Sequence, residues 1–194
     1  MIKSLKSHLT ELAMNAQAFL FPQIHVGSYV YVRKHVVILL QGMVEYDLCG
    51  ITKDSIVLDI GASVGGFTVM AAKRCKQVYA VEPLHAEILH ENLKLNGINN
   101  CTVLEYAIGD KKMRRELSFG RITKTVQFVT LNDILEKIPE KIDFMKCDIE
   151  GGEKYVDFGL FQNIEAELHE FDEYGNLIHV YPYHKRNGCV VKSR

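Results

Sequence analysis

The chain has almost no net charge. Its 194 residues carry 23 lysines and arginines against 24 aspartates and glutamates, a formal balance of −1. Eight histidines add positive charge only at mildly acid pH. Without a basic excess there is no electrostatic footprint for phosphates, so nucleic acid is not an expected partner. The five cysteines, Cys49, Cys75, Cys101, Cys147 and Cys189, are scattered and include no C-x-x-C pair, which excludes a zinc ribbon and a disulfide framework. Reduced, mostly buried thiols in a cytoplasmic protein are expected instead. No apolar run is long enough to span a bilayer, and Met1 to Leu20 lacks the continuous apolar core of a secretory signal, so no membrane association is expected. Internal repeats, low-complexity tracts and interdomain linkers are also missing.

What remains is an ordinary globular composition, 47% hydrophobic and 24% charged, at a length that suits one domain. Residues 1–50 read as an extension of that domain, and residues 51–194 as its main body. Leu5, Leu9, Leu12 and Ala16 recur at helical spacing, which predicts an amphipathic helix packed on the domain or on a second copy of the chain. Phe21-Pro22 breaks it. Ser28 to Lys34 reads as a short strand; Val36 to Leu48 has no clear period.

From Ser55 onward the pattern is regular. Strands are expected at Ile56–Ile60, Gln77–Val81, Thr102–Glu105, Ile142–Cys147 and Ile164–Glu170. Helices are expected at Phe67–Cys75, Leu84–Asn96, after a cap at Thr130 or Asn132, and over Gly151–Leu160. Arg114 to Val129 interrupts the rhythm as one or two extra strands or a flap. Leu177 to Val191 closes as a β-hairpin around Arg186-Asn187-Gly188. The alternation predicts an α/β fold with a mainly parallel, doubly wound sheet.

Chemistry concentrates at three places. Asp59-Ile60-Gly61-Ala62-Ser63-Val64-Gly65-Gly66-Phe67-Thr68 follows a buried strand and opens a helix. Glycines there let the backbone approach a ligand, and the helix start offers N–H groups to an anion, a methionyl carboxylate or a pyrophosphate. G-x-G-x-x-G is absent, which disfavours an NAD-dependent oxidoreductase. Glu82, 23 positions after Asp59 and followed by Pro83, is placed to hold ribose hydroxyls. Asp148, Glu150 and Glu153 crowd the end of the fourth strand, and Glu167 and His169 alternate on the fifth, so both point to one side.

Together these residues resemble the FkbM family of S-adenosylmethionine (SAM)-dependent methyltransferases. The resemblance runs from Gly42 to His169, roughly two-thirds of the chain. It is carried by Val57-Leu58-Asp59-Ile60-Gly61-Ala62 with Gly65-x-Phe67-Thr68, then Ala80-Val81-Glu82-Pro83, Asn92-Leu93-x-Leu95-Asn96, Ala107-Ile108-Gly109-Asp110 and Thr130-Leu131-Asn132-Asp133. Its most specific block is Asp143-Phe144-x-Lys146-x-Asp148-Ile149-Glu150-Gly151-x-Glu153.

The resemblance implies a Rossmann-like class I methyltransferase fold and transfer of a methyl group from SAM to a hydroxyl of a sugar or small natural product. It implies that Asp59, Gly61 and Gly65 line the methionine side of the cofactor, with Glu82 on the ribose and Tyr106-Ala107 beside the adenine. Ala62, Phe67, Thr68, Pro83 and Asp148 complete the expected cofactor-binding set. Asp148, Glu150 and His169 are the candidates for taking the hydroxyl proton, Asp148 first. A metal held by those three is the weaker reading, because no tight ligand spacing marks a metal site. Competing assignments are an RNA methyltransferase, suggested by Val78 to Glu82 with Asn92-x-x-x-Asn96, and a non-catalytic SAM- or nucleotide-binding module. The second draws on the short segment after His169, which leaves little room for a last helical crossover.

Overall fold

A computed structural model describes residues 23–32, 36–187 and 189–191. The helix expected over Met1 to Leu20 lies outside the described residues, as do Arg33, Lys34 and the turn residue Gly188.

The described chain opens with a hairpin, β1 (Gln23–Val26) and β2 (Tyr29–Val32), followed by helix α1 (Val36–Val44). Next come β3 (Ile56–Ile60), α2 (Gly66–Ala72), β4 (Gln77–Val81), α3 (Ala86–Leu95) and β5 (Cys101–Leu104). The segment that breaks the rhythm is a short strand, β6 (Ala107–Ile108), and an antiparallel hairpin of β7 (Met113–Phe119) and β8 (Ile122–Val129). Helix α4 (Leu131–Leu135) and strands β9 (Phe144–Cys147), β10 (Ile164–Phe171), β11 (Leu177–Arg186) and β12 (Cys189–Val191) complete the chain.

The main sheet runs β12-β11-β10-β9-β3-β4-β5. Its five strands from β10 to β5 are parallel, and β11 and β12 add antiparallel. All five residues of β3 are buried, as a central parallel strand covered on both faces requires. Side-chain alternation then sorts the core into two layers. Val57, Val78, Ala80 and Phe144 meet Leu39, Phe67, Val69, Leu89 and Leu93 on one face. Leu58, Ile60, Tyr79, Val81 and Met145 meet Ile134, Ile138, Val156 and Phe161 on the other. Tyr31, Leu39 and Tyr46 belong to the first layer, so the described residues before 50 share that core. The side chains of Asn92 and Asn96 accept the Val32 and Val30 N–H groups at 2.8 and 2.9 Å and pin the N-terminal hairpin to α3.

Thr130 is the cap of α4. Its hydroxyl accepts the Asp133 N–H at 3.2 Å, and the Asp133 carboxylate accepts the Thr130 N–H at 2.9 Å, a reciprocal capping box. The helix expected over Gly151–Leu160 does not form. The segment makes two 3-10 turns, Glu153–Tyr155 and Phe158–Leu160. Glu150 and Gly151 sit in left-handed backbone, and the Glu153 and Asp157 carboxylates take the N–H groups of Ile149, Gly151 and Gly159 that a helix would have needed.

Cys49, Cys75, Cys101 and Cys147 are free thiols; burial pushes Cys75 up to about 11 and Cys101 up to about 12, which leaves them unreactive at neutral pH. Among the described residues no helix is long and apolar enough to cross a membrane.

Candidate active site

A cleft of about 500 Å³ opens beyond the carboxyl ends of β3, β4 and β9. This is where the strand order reverses: β4 lies on one side of β3 and β9 on the other. The volume falls within the range of small-molecule sites, roughly 300–1,000 Å³.

The floor is the glycine loop. Gly61 has φ +80, and a Cβ built there would lie 1.8 Å from the carbonyl oxygen of Asp148. Only glycine lets β3 turn beneath that carbonyl. Ser63, at φ +51, turns its N–H onto the Glu82 carboxylate at 2.7 Å. The other oxygen of Glu82 accepts the N–H groups of Leu84 (2.6 Å) and His85 (2.8 Å). Burial pushes the Glu82 carboxyl up, but the donors of His85 and Leu84 outweigh it and hold the pKa below the usual value. Glu82 therefore adds stability above the ordinary glutamate pKa of about 4.3, and that stability is lost as pH falls through the lower folded-state value. Glu82→Gln is expected to melt below the parent at pH 7, and the gap should close in melts taken at progressively lower pH. A gap that stays constant into acid would contradict this.

Asp59 and Lys146 lie on the same face of neighbouring strands, both almost fully buried. The Lys146 ammonium donates to the Gly61 carbonyl at 2.6 Å, lies 3.4 Å from Asp59 and sits 5.0 Å above the Tyr46 ring. Thr68 donates to the other Asp59 oxygen at 2.6 Å. Burial acts against the Lys146 charge, but Asp59 and Asp148 outweigh it and raise its pKa. Burial pushes Asp59 up, against the pull of Lys146 and Thr68. The two shifts favour opposite states of the pair. We take it as ionised, because Lys146 also has the Gly61 carbonyl and a second carboxylate, Asp148, to hold its charge.

One part of the lining is acidic. Glu45, Asp148, Glu150 and Glu167 all face the cleft. Tyr46 donates to Asp148 Oδ2 at 2.8 Å, whereas Asp148 Oδ1 is buried without a hydrogen-bond partner. Burial, followed by neighbouring Asp148, raises the carboxyls of Glu45 and Glu167. Burial also raises Glu150, with His169 opposing it. His169 lies between Glu150 (Nε2 to Oε2, 3.3 Å) and Glu153 (Nδ1 to Oε1, 3.1 Å).

Of the expected cofactor-binding residues, Gly61, Ala62, Phe67, Glu82, Pro83, Tyr106, Ala107 and Asp148 line the cleft. Asp59 and Thr68 are fully buried behind it, bonded to each other. Gly65 lies behind the wall as the cap of α2. Asp148 and Glu150 reach the cleft, while His169 lies behind it, touching the cleft only through Glu150. Sequence reasoning assigned no role to Tyr46, Glu45, Arg115 or Phe119, which also line it. Arg115 and Phe119 come from the β7–β8 hairpin, with the Phe119 ring edge-on to His85 at 6.3 Å.

Residues 59–158, just over half of the chain, match the model of the methyltransferase FkbM domain. The chain belongs to the FkbM methyltransferase family. Membership makes this a methyltransferase domain. The match takes in the glycine loop, Glu82, Lys146, Asp148 and Glu150; Tyr46, Glu167 and His169 lie outside it.

A probable cobalt-precorrin-6B C(15)-methyltransferase (decarboxylating) of Methanocaldococcus jannaschii is 35% identical over 89 residues, 45% of this chain and 49% of that protein. An uncharacterised protein of the same archaeon is 39% identical over 111 residues, 51% of this chain and 40% of that protein. The chain thus spans about half the length of the curated relatives it matches. Among solved structures, a precorrin 8W decarboxylase from Methanobacterium thermoautotrophicum has 18% identity and a TM-score of 0.40, with 79% of this chain and 85% of that chain covered.

Proposed function

We propose that this FkbM-family protein binds SAM in the cleft and methylates a hydroxyl oxygen of a sugar or other small natural product. SAM supplies a methyl group already activated on a sulfonium. The chain's own task is to bind, to align an acceptor oxygen with the donor and to exclude water.

The carrying observation is the division of the cleft. One half has Glu82 fixed by three N–H donors, the Gly61 turn and the Tyr106-Ala107 wall, features suited to a nucleoside and an amino-acid tail. The other half has the acidic wall of Glu45, Asp148, Glu150 and Glu167. A hydroxyl is a weak nucleophile until it loses its proton, so carboxylates at the acceptor end suit an oxygen acceptor. Deprotonation is assigned to the Asp148, Glu150 and His169 group, with Asp148 first.

The test is calorimetric titration with SAM, S-adenosylhomocysteine and NAD, on the parent and on Glu82→Ala. SAM and S-adenosylhomocysteine are expected to bind and NAD is not. Glu82→Ala should bind both adenosyl ligands about 10–100-fold more weakly, the worth of charge-assisted hydrogen bonds to two ribose hydroxyls. Binding followed by transfer of labelled methyl to a panel of sugars supports the enzyme. Binding with no transfer to any acceptor points to a SAM-binding module. Failure to bind either adenosyl ligand removes the proposal.

A further inference from the structure

We propose that Asp148, Glu150 and His169 form a binding site for one divalent cation of the oxygen-preferring octahedral kind, Mn²⁺ or Mg²⁺. One ligand atom from each residue lies within 4.8 Å of the others. Donors about 2.1 Å from an octahedral ion stand about 3.0 Å apart when adjacent and about 4.2 Å apart when opposite. The 3.3 Å between His169 Nε2 and Glu150 Oε2 is near the adjacent spacing. Two hard carboxylates with one imidazole suit Mn²⁺ or Mg²⁺ better than a thiolate-seeking ion.

The hydrogen bonding around His169 points to the same ligand independently. Glu153 accepts the Ile149 and Gly151 N–H groups, both at 2.9 Å, so it is a committed acceptor. His169 Nδ1, 3.1 Å from Glu153, must therefore carry a proton. That turns the Nε2 lone pair onto Glu150, another acceptor. Two acceptors at 3.3 Å repel unless a proton or a metal ion lies between them, and the titration below separates the two. The His169 side chain is only 4% exposed, so solvent reaches the pair from the Glu150 side alone. Asp148 Oδ1, buried with no hydrogen-bond partner, is a third unsatisfied acceptor in the group. A buried carboxylate fixing the far nitrogen of a ligating histidine is the usual outer support of a metal site. The ligands come from the loop after β9 and from β10, the parallel strand beside it.

The proposal deepens the hydroxyl-methylation reading and rests on it only for what the ion is for. A cation there would acidify a hydroxyl bound to it, so Asp148 would serve as a ligand in place of the free-base role given above, and the proton would pass to the neighbouring cleft carboxylate Glu167.

The experiment titrates the chelator-treated full chain with MnCl₂ and follows the electron paramagnetic resonance signal of free Mn²⁺. Binding of S-adenosylhomocysteine is measured in parallel. Expected is saturation at one ion per chain, with at least tenfold weaker uptake in Glu150→Gln and in His169→Gln and unchanged uptake in Glu140→Gln. Glu150 is half-exposed, so its variant should fold whether or not the His169 variant does. Absent saturation, or parent-like uptake by Glu150→Gln, overturns the site. No Mn²⁺ uptake with S-adenosylhomocysteine still bound removes the ion and leaves the methyltransferase reading standing. Site-dependent Mn²⁺ uptake without S-adenosylhomocysteine binding keeps the ion and removes that reading.

Discussion

Lys146→Met is expected to lower folding stability by about 3–5 kcal/mol, the cost of leaving a buried charge without its partner. That is a large part of the 5–15 kcal/mol that typically holds a domain together. Methionine fills the space of the lysine stem, so the loss isolates the charge. Asp59 would stay fully buried with only the Thr68 hydroxyl against it, and the Gly61 carbonyl would lose its 2.6 Å donor. The variant can escape part of the loss by protonating Asp59, which burial already favours. The deficit should therefore shrink as pH is lowered. Adding Asp59→Asn to Lys146→Met should restore most of the stability. Urea unfolding of the parent, both single variants and the double variant measures the coupling. A single Lys146→Met variant within about 1 kcal/mol of the parent at pH 7 would show that the pair is not ionised.

Gly61→Ala should be the most damaging small substitution in the glycine loop. A left-handed alanine costs about 1–2 kcal/mol by itself. Here its methyl would also overlap the Asp148 carbonyl, and forced repacking adds about 1–3 kcal/mol. Relief requires the end of β9 to move away from β3, and it carries Asp148 with it. Binding of S-adenosylhomocysteine should fail even at temperatures where the variant is still folded. Gly97→Ala supplies the control. Gly97 is also left-handed, at φ +64, but a Cβ there meets nothing within 4 Å. It should lose only the backbone part and bind normally. Similar melting shifts and similar binding in the two variants would mean that the Asp148 contact has no consequence.

The parallel core was legible because its signals are local. Ile56–Ile60 and Gln77–Val81 depend on neighbours a few positions away and form where the pattern put them, and of the two caps the pattern offered, Thr130 and Asn132, the chain uses Thr130. Helix α1 had no readable period because Val-Val-Ile-Leu-Leu-Gln-Gly-Met-Val is apolar on nearly every side. Tyr46 gave no signal because its partner, Asp148, is 102 positions away. The misread helix at Gly151–Leu160 carries three glycines, Gly151, Gly152 and Gly159, and Glu153 and Asp157 spend their carboxylates on backbone N–H groups, which favours turns. The place of Asp59 behind the cleft, not in its wall, follows from Lys146 reaching across from β9, a contact between strands that no spacing along the chain displays. The Asp148, Glu150 and His169 group is similar: two ligands are close in sequence, and the third arrives only through strand pairing.

The bond from Lys146 to Gly61 spans 85 positions. At a ribosomal rate of 5–20 residues per second, about 4–17 s separate the synthesis of the two ends. During that interval the nascent β3–β4–β5 half has no counter-ion for Asp59, so burying that carboxylate is unfavourable and the half-sheet has reason to stay open. Closure of the loop and ionic satisfaction of the interior arrive together, with β9. Translation therefore delays the cleft until the strand carrying its acidic wall has been made, and a truncated product ending before Lys146 should be a substrate for chaperones rather than a smaller folded domain.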